Sequence, residues 1–221
     1  MKGRLITLEG GEGAGKSSIV ECVRRSIAAH GIEVDVTREP GGTALGEALR
    51  AIVLDPLRGG LCAEAELLLM FAARAQLVRE VIRPALANGV WVVSDRFTDA
   101  SYAYQGGGRG QPAERIEALE RWAADGLLPD LTLLLDISVA DGRQRIARRC
   151  ARKGASAAGI DRIEREDDAF FDRVRAIYAA RAAAEPQRFR VIDAGRPLEA
   201  VSDDARRAVD ALVMAATEAR T

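Results

Sequence analysis

Histidine, cysteine and asparagine are scarce in this 221-residue chain, which has one histidine, His30, one asparagine, Asn88, and three cysteines, Cys22, Cys62 and Cys150. A single histidine and no close cysteine pair leave no zinc-binding set. A Ser-His-Asp triad would have to use His30, at the end of the first helical run. The widely spaced, odd-numbered cysteines exclude a disulfide framework and suit a reducing cytoplasm. Gly89 follows the lone asparagine, so the Asn-Lys-x-Asp element by which guanine-specific switches read their base is missing. The longest apolar run, Leu67–Ala73, falls far short of the roughly 20 residues that cross a bilayer. With 32 basic residues against 33 acidic ones, no global field favours nucleic acid or membrane. Repeats and Pro/Ser-rich linkers are also lacking, so residues 1–221 read as one domain able to bury a proper core.

Glycine, by contrast, is concentrated where it does chemistry. Gly10-Gly11-Glu12-Gly13-Ala14-Gly15-Lys16-Ser17 is a complete G-x-x-x-x-G-K-S/T phosphate-binding loop. The apolar run Arg4–Glu9 before it suits a buried strand, and Ser17–Arg25 after it has helical spacing. Glycines let successive backbone N–H groups turn inward around phosphate oxygens, and the helix N-terminus adds partial positive charge. Lys16 then reaches the β- and γ-phosphates and Ser17 ligates Mg²⁺, which points to a bound nucleoside triphosphate. The loop begins so near Met1 that no signal peptide is expected. The spacing fails the G-x-G-x-x-G dinucleotide pattern at Lys16.

Downstream, strand-like runs alternate with helical ones, the pattern of a parallel sheet with crossover helices. Strands are predicted at Leu5–Leu8, Glu33–Thr37, Val90–Ser94, Leu131–Asp136 and Arg190–Asp193. Helices are predicted at Gly15–His30, Thr43–Leu54, Cys62–Ala87, Pro112–Asp125, Val139–Cys150, Asp167–Ala184 and Pro197–Arg220. The long third helix carries an apolar face around Leu67, Leu68, Phe71 and Val78. Ala151–Ile160 breaks the alternation: it is small, glycine-containing and flanked by arginines, and reads either as a solvated loop or as a lid bringing cations over phosphates.

Two further motifs lie at predicted strand ends, where ligands bind in open parallel sheets. Thr37-Arg38-Glu39-Pro40-Gly41-Gly42 follows the second strand. Ser94-Asp95-Arg96-Phe97 ends the third, and Ser101-Tyr102-Ala103-Tyr104-Gln105-Gly106-Gly107-Gly108-Arg109-Gly110 comes shortly after. An apolar strand ending in aspartate is where a Mg²⁺-linked carboxylate belongs in phosphate-loop enzymes, and Arg96 beside it offers a planar fork to a phosphate.

In order and spacing, these motifs together with Asp161-Arg162-Ile163-Glu164 resemble the bacterial thymidylate kinase family over essentially the whole chain. The resemblance implies Mg²⁺-dependent transfer of the ATP γ-phosphoryl group to dTMP, giving dTDP and ADP. It also implies a five-stranded parallel sheet in the order 2-3-1-4-5 flanked by helices, a flexible lid at about 149–163, and a cytoplasmic homodimer. Rival readings are a kinase for dUMP, dCMP or a nucleoside, and a phosphate-loop switch that hydrolyses ATP slowly.

The resemblance also assigns roles. Gly11, Glu12, Gly13, Ala14, Gly15, Lys16, Ser17 and Ser18 hold ATP; Arg145 stacks on adenine, with backbone near Ala194 closing that site. Arg38 and Arg96 hold the dTMP phosphate, while Asp95 supports the metal with Ser17 or orients Arg96. Glu12 faces the deoxyribose 3′-hydroxyl. Arg74, Ser101 and Gln105 hydrogen-bond thymine, with Tyr102 and Tyr104 on the sugar side. The family's stacking phenylalanine falls at Met70, so Phe71, one residue on, is the expected stacking ring. Because Ala14 stands where some members carry a loop arginine, the missing cation is expected from the lid: Arg149 first, with Arg152 and Lys153 as alternatives. Lys16, Asp95, Arg96 and Arg149 form the expected catalytic set.

Overall fold

The computed structural model describes residues 2–57, 61–152 and 160–218. Five parallel strands, β1 (Leu5–Glu9), β2 (Val34–Arg38), β3 (Trp91–Asp95), β4 (Leu131–Asp136) and β5 (Phe189–Asp193), form one sheet in the order β2-β3-β1-β4-β5. This is the order expected, and each observed strand falls within about one residue of its predicted run. β1 and β4 are buried on both faces because helices cover both sides.

Alternation along the strands divides the core. Ile6, Leu8, Trp91, Val93, Leu133 and Leu135 face α1 (Lys16–Ala29) and α9 (Leu198–Glu218), meeting Ile19, Val23, Ile27, Val201 and Val209. Leu5, Val92 and Leu134 face the other side. There lie α3 (Ala63–Leu77), α5 (Thr98–Ser101) and α8 (Asp168–Ala184), with Phe170, Val174 and Tyr178 prominent. Each fully buried Leu, Ile or Val contributes about 1.5–3 kcal/mol. Two polar residues of β1 share that second face. Thr7 bonds Thr132 at 2.8 Å, and Glu9 stands at the strand's carboxyl end.

Several elements differ from the sequence reading. The predicted helix Cys62–Ala87 is α3, a π-helical turn at Val78–Ile82, and α4 (Arg83–Ala87). Pro84, lacking an N–H, cannot make the regular bond back to Glu80, and the wider turn accommodates that loss. Leu68 is turned to solvent, off the buried stripe of Leu67, Phe71 and Val78. Residues 98–108, to which the sequence assigns no element, form α5 and a π-helical segment, Tyr102–Gly108. Helix propensity argues against three successive glycines, but packing requires the last two. A Cβ at Gly108 would lie 2.3 Å from the Phe170 ring, and one at Gly107 2.6 Å from Ile177. The remaining helices are α2 (Ala44–Leu54), α6 (Ala113–Ala123) and α7 (Val139–Arg152). Thr43 caps α2 by accepting from the Gly46 N–H at 2.9 Å, and Asp167 caps α8 by accepting from Phe170 at 2.7 Å. Among the described residues no helix is long and apolar enough to cross a membrane.

Candidate active site

The parallel register sets Leu8, Asp95 and Arg38 side by side at the carboxyl ends of β1, β3 and β2. Above them opens a cleft of about 800 Å³, which also receives the loop residues 12–18 and the side chains of α7.

The loop between β1 and α1 is shaped by its glycines. Gly13 has φ 76° and would place a Cβ 2.3 Å from the Gly142 carbonyl oxygen, so α7 packs directly on loop backbone there. Gly15, at φ 90°, leads into α1, whose first residue is Lys16. Ser18 N–H bonds back to the Gly15 carbonyl at 3.1 Å, leaving Ser17 exposed on the first turn. The Lys16 ammonium folds over the loop, donating to the Gly10 carbonyl at 3.1 Å and the Gly11 carbonyl at 3.0 Å. Burial and the neighbouring Arg96 depress its pKa, while Glu12 and Asp95 oppose that.

Arg96 reaches the same carbonyl from the opposite wall. Its Nη1 donates to Gly10 at 3.1 Å and to the Tyr178 hydroxyl at 3.2 Å, and its Nη2 donates to Glu12 at 2.5 Å and to the Tyr104 hydroxyl at 2.9 Å. Its backbone is left-handed, φ 74°, a strained conformation for a branched-chain-free but bulky residue. Three bonds hold that turn. Arg96 N–H donates to Leu8 at 2.9 Å, Ser94 hydroxyl donates to the Arg96 carbonyl at 2.7 Å, and Phe97 N–H donates to Glu9 at 2.7 Å. Glu9 also accepts from Tyr178 at 2.7 Å, so a buried carboxyl group and a tyrosine frame the arginine from below. Burial and the nearby Asp99 raise the Glu9 pKa to about 8, against the influence of Arg96 and the two donors. Glu12 behaves oppositely: burial would raise it, but Arg96, Lys16 and the Tyr104 hydroxyl outweigh that and hold it at about 2. Neither Glu9 nor Tyr178 belongs to a recognisable motif, so only the fold reveals them.

Asp95 lines the cleft, and its buried Oδ1 has no hydrogen-bond partner. An orphaned carboxylate oxygen in a cleft that Ser17 also lines is the donor chemistry a hard divalent cation takes, so the residues fit Mg²⁺. Arg38, half-exposed at the mouth, donates to both oxygens of Glu47, at 3.0 and 2.9 Å. Arg50, which the sequence reading missed, also lines the cleft. It donates to the Pro40 carbonyl at 3.0 Å, makes no ion pair among the described residues, and has its pKa depressed by burial and by Arg38. No motif surrounds Arg50; packing of α2 alone brings it in.

The expected base contacts divide between wall and backing. Met70, Tyr104 and Gln105 line the cleft. Arg74 and Ser101 are fully buried behind them, Arg74 donating to Glu39 at 2.8 Å, Ser101 at 2.9 Å and the Phe97 carbonyl at 3.0 Å. The expectation for Phe71 needs correction. Its ring lies under the Arg74 guanidinium, 4.5 Å from centroid to carbon, in a core cluster with Leu67, Ile116 and Ala123. One helical step separates neighbouring residues by about 100°, and that step turns Phe71 inward while Met70 faces the cleft. Tyr104 donates to Glu12 at 2.9 Å, on the side where the sugar contacts were expected. Tyr102 instead turns away to Glu120, at 2.6 Å.

At the other end of the cleft Arg145 donates to the Ala194 carbonyl at 2.8 Å, and both line the wall with Leu198 and Val201. Arg149 also lines the cleft, held at 2.6 Å by the buried Glu164. Asp161 fixes the turn beneath that pair by accepting from Ile163 and Glu164 N–H groups at 2.9 and 2.8 Å. The side chain of Arg152 and all of Lys153, the alternative lid cations, lie outside the described residues.

A family model described as thymidylate kinase matches residues 8–205. The chain belongs to the thymidylate kinase family. A thymidylate kinase of Chromohalobacter salexigens is 58% identical over 200 residues, covering 90% of this chain and 91% of its own. One from Halorhodospira halophila is 53% identical, covering 94% of each chain. The crystal structure of thymidylate kinase from Ehrlichia chaffeensis superposes with a TM-score of 0.69 at 29% identity, covering 87% of this chain and 93% of that one.

Proposed function

We infer that this protein transfers the γ-phosphoryl group of ATP to dTMP, giving dTDP and ADP, as its family membership indicates. The observation that carries the assignment of roles is the shared Gly10 carbonyl, on which Lys16 and Arg96 converge from opposite walls at 3.1 Å each. Two cations meeting across one cleft suit the junction of two polyanions. The second pKa of a phosphate monoester is about 6, so the attacking oxygen is largely ionised at neutral pH and no strong general base is required. What remains is to bring donor and acceptor into line and to stabilise charge on the transferred group.

In this reading Gly11–Ser18 cradle the ATP phosphates, and Arg145, anchored to Ala194, packs on adenine. Arg38, Arg50 and Arg96 take the dTMP phosphate, and Glu12 with Tyr104 meets the sugar. Met70 packs on the base and Gln105 bonds it. Arg149 swings from Glu164 to the transferred group; residues 153–159 of the lid expected at about 149–163 lie outside the described residues. Ser17 and Asp95 hold Mg²⁺, which supplies charge neutralisation between the phosphates. A homodimer is supported by exposed apolar side chains on the packed pair α3 and α6: Leu68 is 57% exposed and Trp122 83%. Three free cysteines agree with residence in the cytoplasm.

The test is ADP release measured with a panel of monophosphates and with Mg²⁺ withheld. dTMP should stimulate turnover far more than dCMP or UMP, and chelation should abolish it. Equal stimulation by all three would end the dTMP assignment.

A further inference from the structure

The carboxylate of Glu66, only 1% exposed, lies behind the base end of the cleft and is used from two directions. Its Oε1 accepts from the Gln105 side-chain Nε2 at 2.8 Å. Its Oε2 accepts from Arg109 at 3.1 Å and from Arg162 at 2.5 Å. A carboxylate accepts and does not donate, so the end of the Gln105 amide facing it must be the NH₂. The other end, Oε1, is buried, lacks a hydrogen-bond partner and belongs to a residue lining the cleft beside Met70 and Tyr104. An amide otherwise presents either end at little cost; this one is held in a single orientation.

We propose that Glu66 is a positioning residue for base selection, holding the Gln105 carbonyl oxygen toward the cleft so that it accepts a ring N–H of the incoming pyrimidine. The proposal rests on the reading that the cleft takes dTMP. Thymine and uracil carry a donor at N3, whereas cytosine carries a lone pair there and would face the Gln105 oxygen with two acceptors opposed. Such a buried mismatch is a strong source of rejection, because the site's polar group is left unpaired. Uracil satisfies the same oxygen, so Glu66 contributes to rejecting cytosine and contributes nothing to distinguishing the thymine methyl. Arg109 and Arg162 complete the lock. Arg109 is braced by Glu166 at 2.6 Å, and Arg162 by the Val53 carbonyl at 2.8 Å, so either arginine alone keeps the carboxylate from rotating away from Gln105.

The experiment is kcat/KM for dTMP, dUMP and dCMP in the wild type, Glu66→Gln, Glu66→Asp and Arg162→Met. In Glu66→Gln the new carboxamide allows Gln105 to turn over. The dTMP-to-dCMP ratio should then fall at least tenfold, with dTMP and dUMP losing in parallel. Glu66→Asp keeps charge toward both arginines but withdraws from the amide, and should lower the ratio at least threefold; it serves if the glutamine variant does not fold. Arg162→Met removes only one arginine and should keep the ratio, whatever it does to the rate. A uniform loss on all three substrates with the ratio intact in the Glu66 variants would overturn the proposal, as would an equal collapse of the ratio in Arg162→Met. A wild type that does not prefer dTMP to dCMP would fail the dTMP reading itself and take this proposal with it.

Discussion

Arg96 and Glu12 form an ion pair of 2.5 Å across the floor of the cleft, joining the end of β3 to the phosphate loop. In the proposed reading the pair holds the guanidinium where two phosphates would meet, and it gives Glu12 a partner where a carboxylate beside phosphates would otherwise be repelled. Arg96→Ala should lower kcat on the order of 10³-fold, by analogy with arginine fingers, and raise KM for dTMP far more than KM for ATP. Steady-state kinetics with each substrate varied in turn checks this. The opposite pattern, with ATP affected more, would reverse the assignment of the two ends of the cleft.

Met70 and Phe71 should separate function from stability. Phe71 is packed among Leu67, Ile116 and Ala123 beneath Arg74, so Phe71→Ala should cost about 3–5 kcal/mol by removing a core aromatic. Met70 lines the cleft, so Met70→Ala should act chiefly on KM for dTMP. Denaturant unfolding and kinetics on the same two variants decide it. A Phe71→Ala enzyme with wild-type stability and a raised KM would return the stacking role to Phe71.

The contrast between those two neighbours also marks what the sequence can disclose. The strands were legible because a buried strand covered on both faces is a short continuous apolar run, and Leu5–Leu8 and Leu131–Asp136 are such runs. The phosphate loop and the Asp95-Arg96 pair were legible because their residue types admit few other uses at a strand end. Three residues at or behind the cleft wall were not. Arg50, Glu66 and Tyr178 sit in helices with no motif around them, and their relevance depends on which way packing rotates the helix. The helical course of 98–108 was hidden for a related reason, since Gly106–Gly108 oppose a helix locally while the approach of Ile177 and Phe170 demands glycine at 107 and 108.

Arg149 is held by Glu164 rather than by anything on the cleft floor, so it is available to move without dismantling the acceptor site. Arg149→Ala should lower kcat by at least tenfold with little change in KM for dTMP. An unaltered kcat would transfer the role to Arg152 or Lys153, which the matching single substitutions would then reveal.

Two glutamates of the loop region should imprint opposite pH dependence on stability. Glu12, held at about 2, is ionised in the folded protein well below its ordinary 4.5, so its contribution is present above about 4.5 and disappears as pH falls through about 2. Glu9, raised to about 8 from 4.5, behaves in reverse. Its folded form keeps a proton that the unfolded chain has released, so stability is highest below about 4.5 and falls as pH rises through about 8. The groups facing Glu9 are Asp99 of α5, Arg96, Tyr178 of α8 and the Phe97 N–H, and only Asp99 adds to burial in raising it. Glu9→Gln retains a carbonyl for the Phe97 amide and removes the titration. Between pH 5 and 8.5 its Tm should therefore fall less steeply than that of the wild type, while Glu12→Gln should run parallel to the wild type over the same range. Thermal melts across that range test both, and a Glu9→Gln curve parallel to the wild type would show that Glu9 is already ionised in the folded protein at neutral pH.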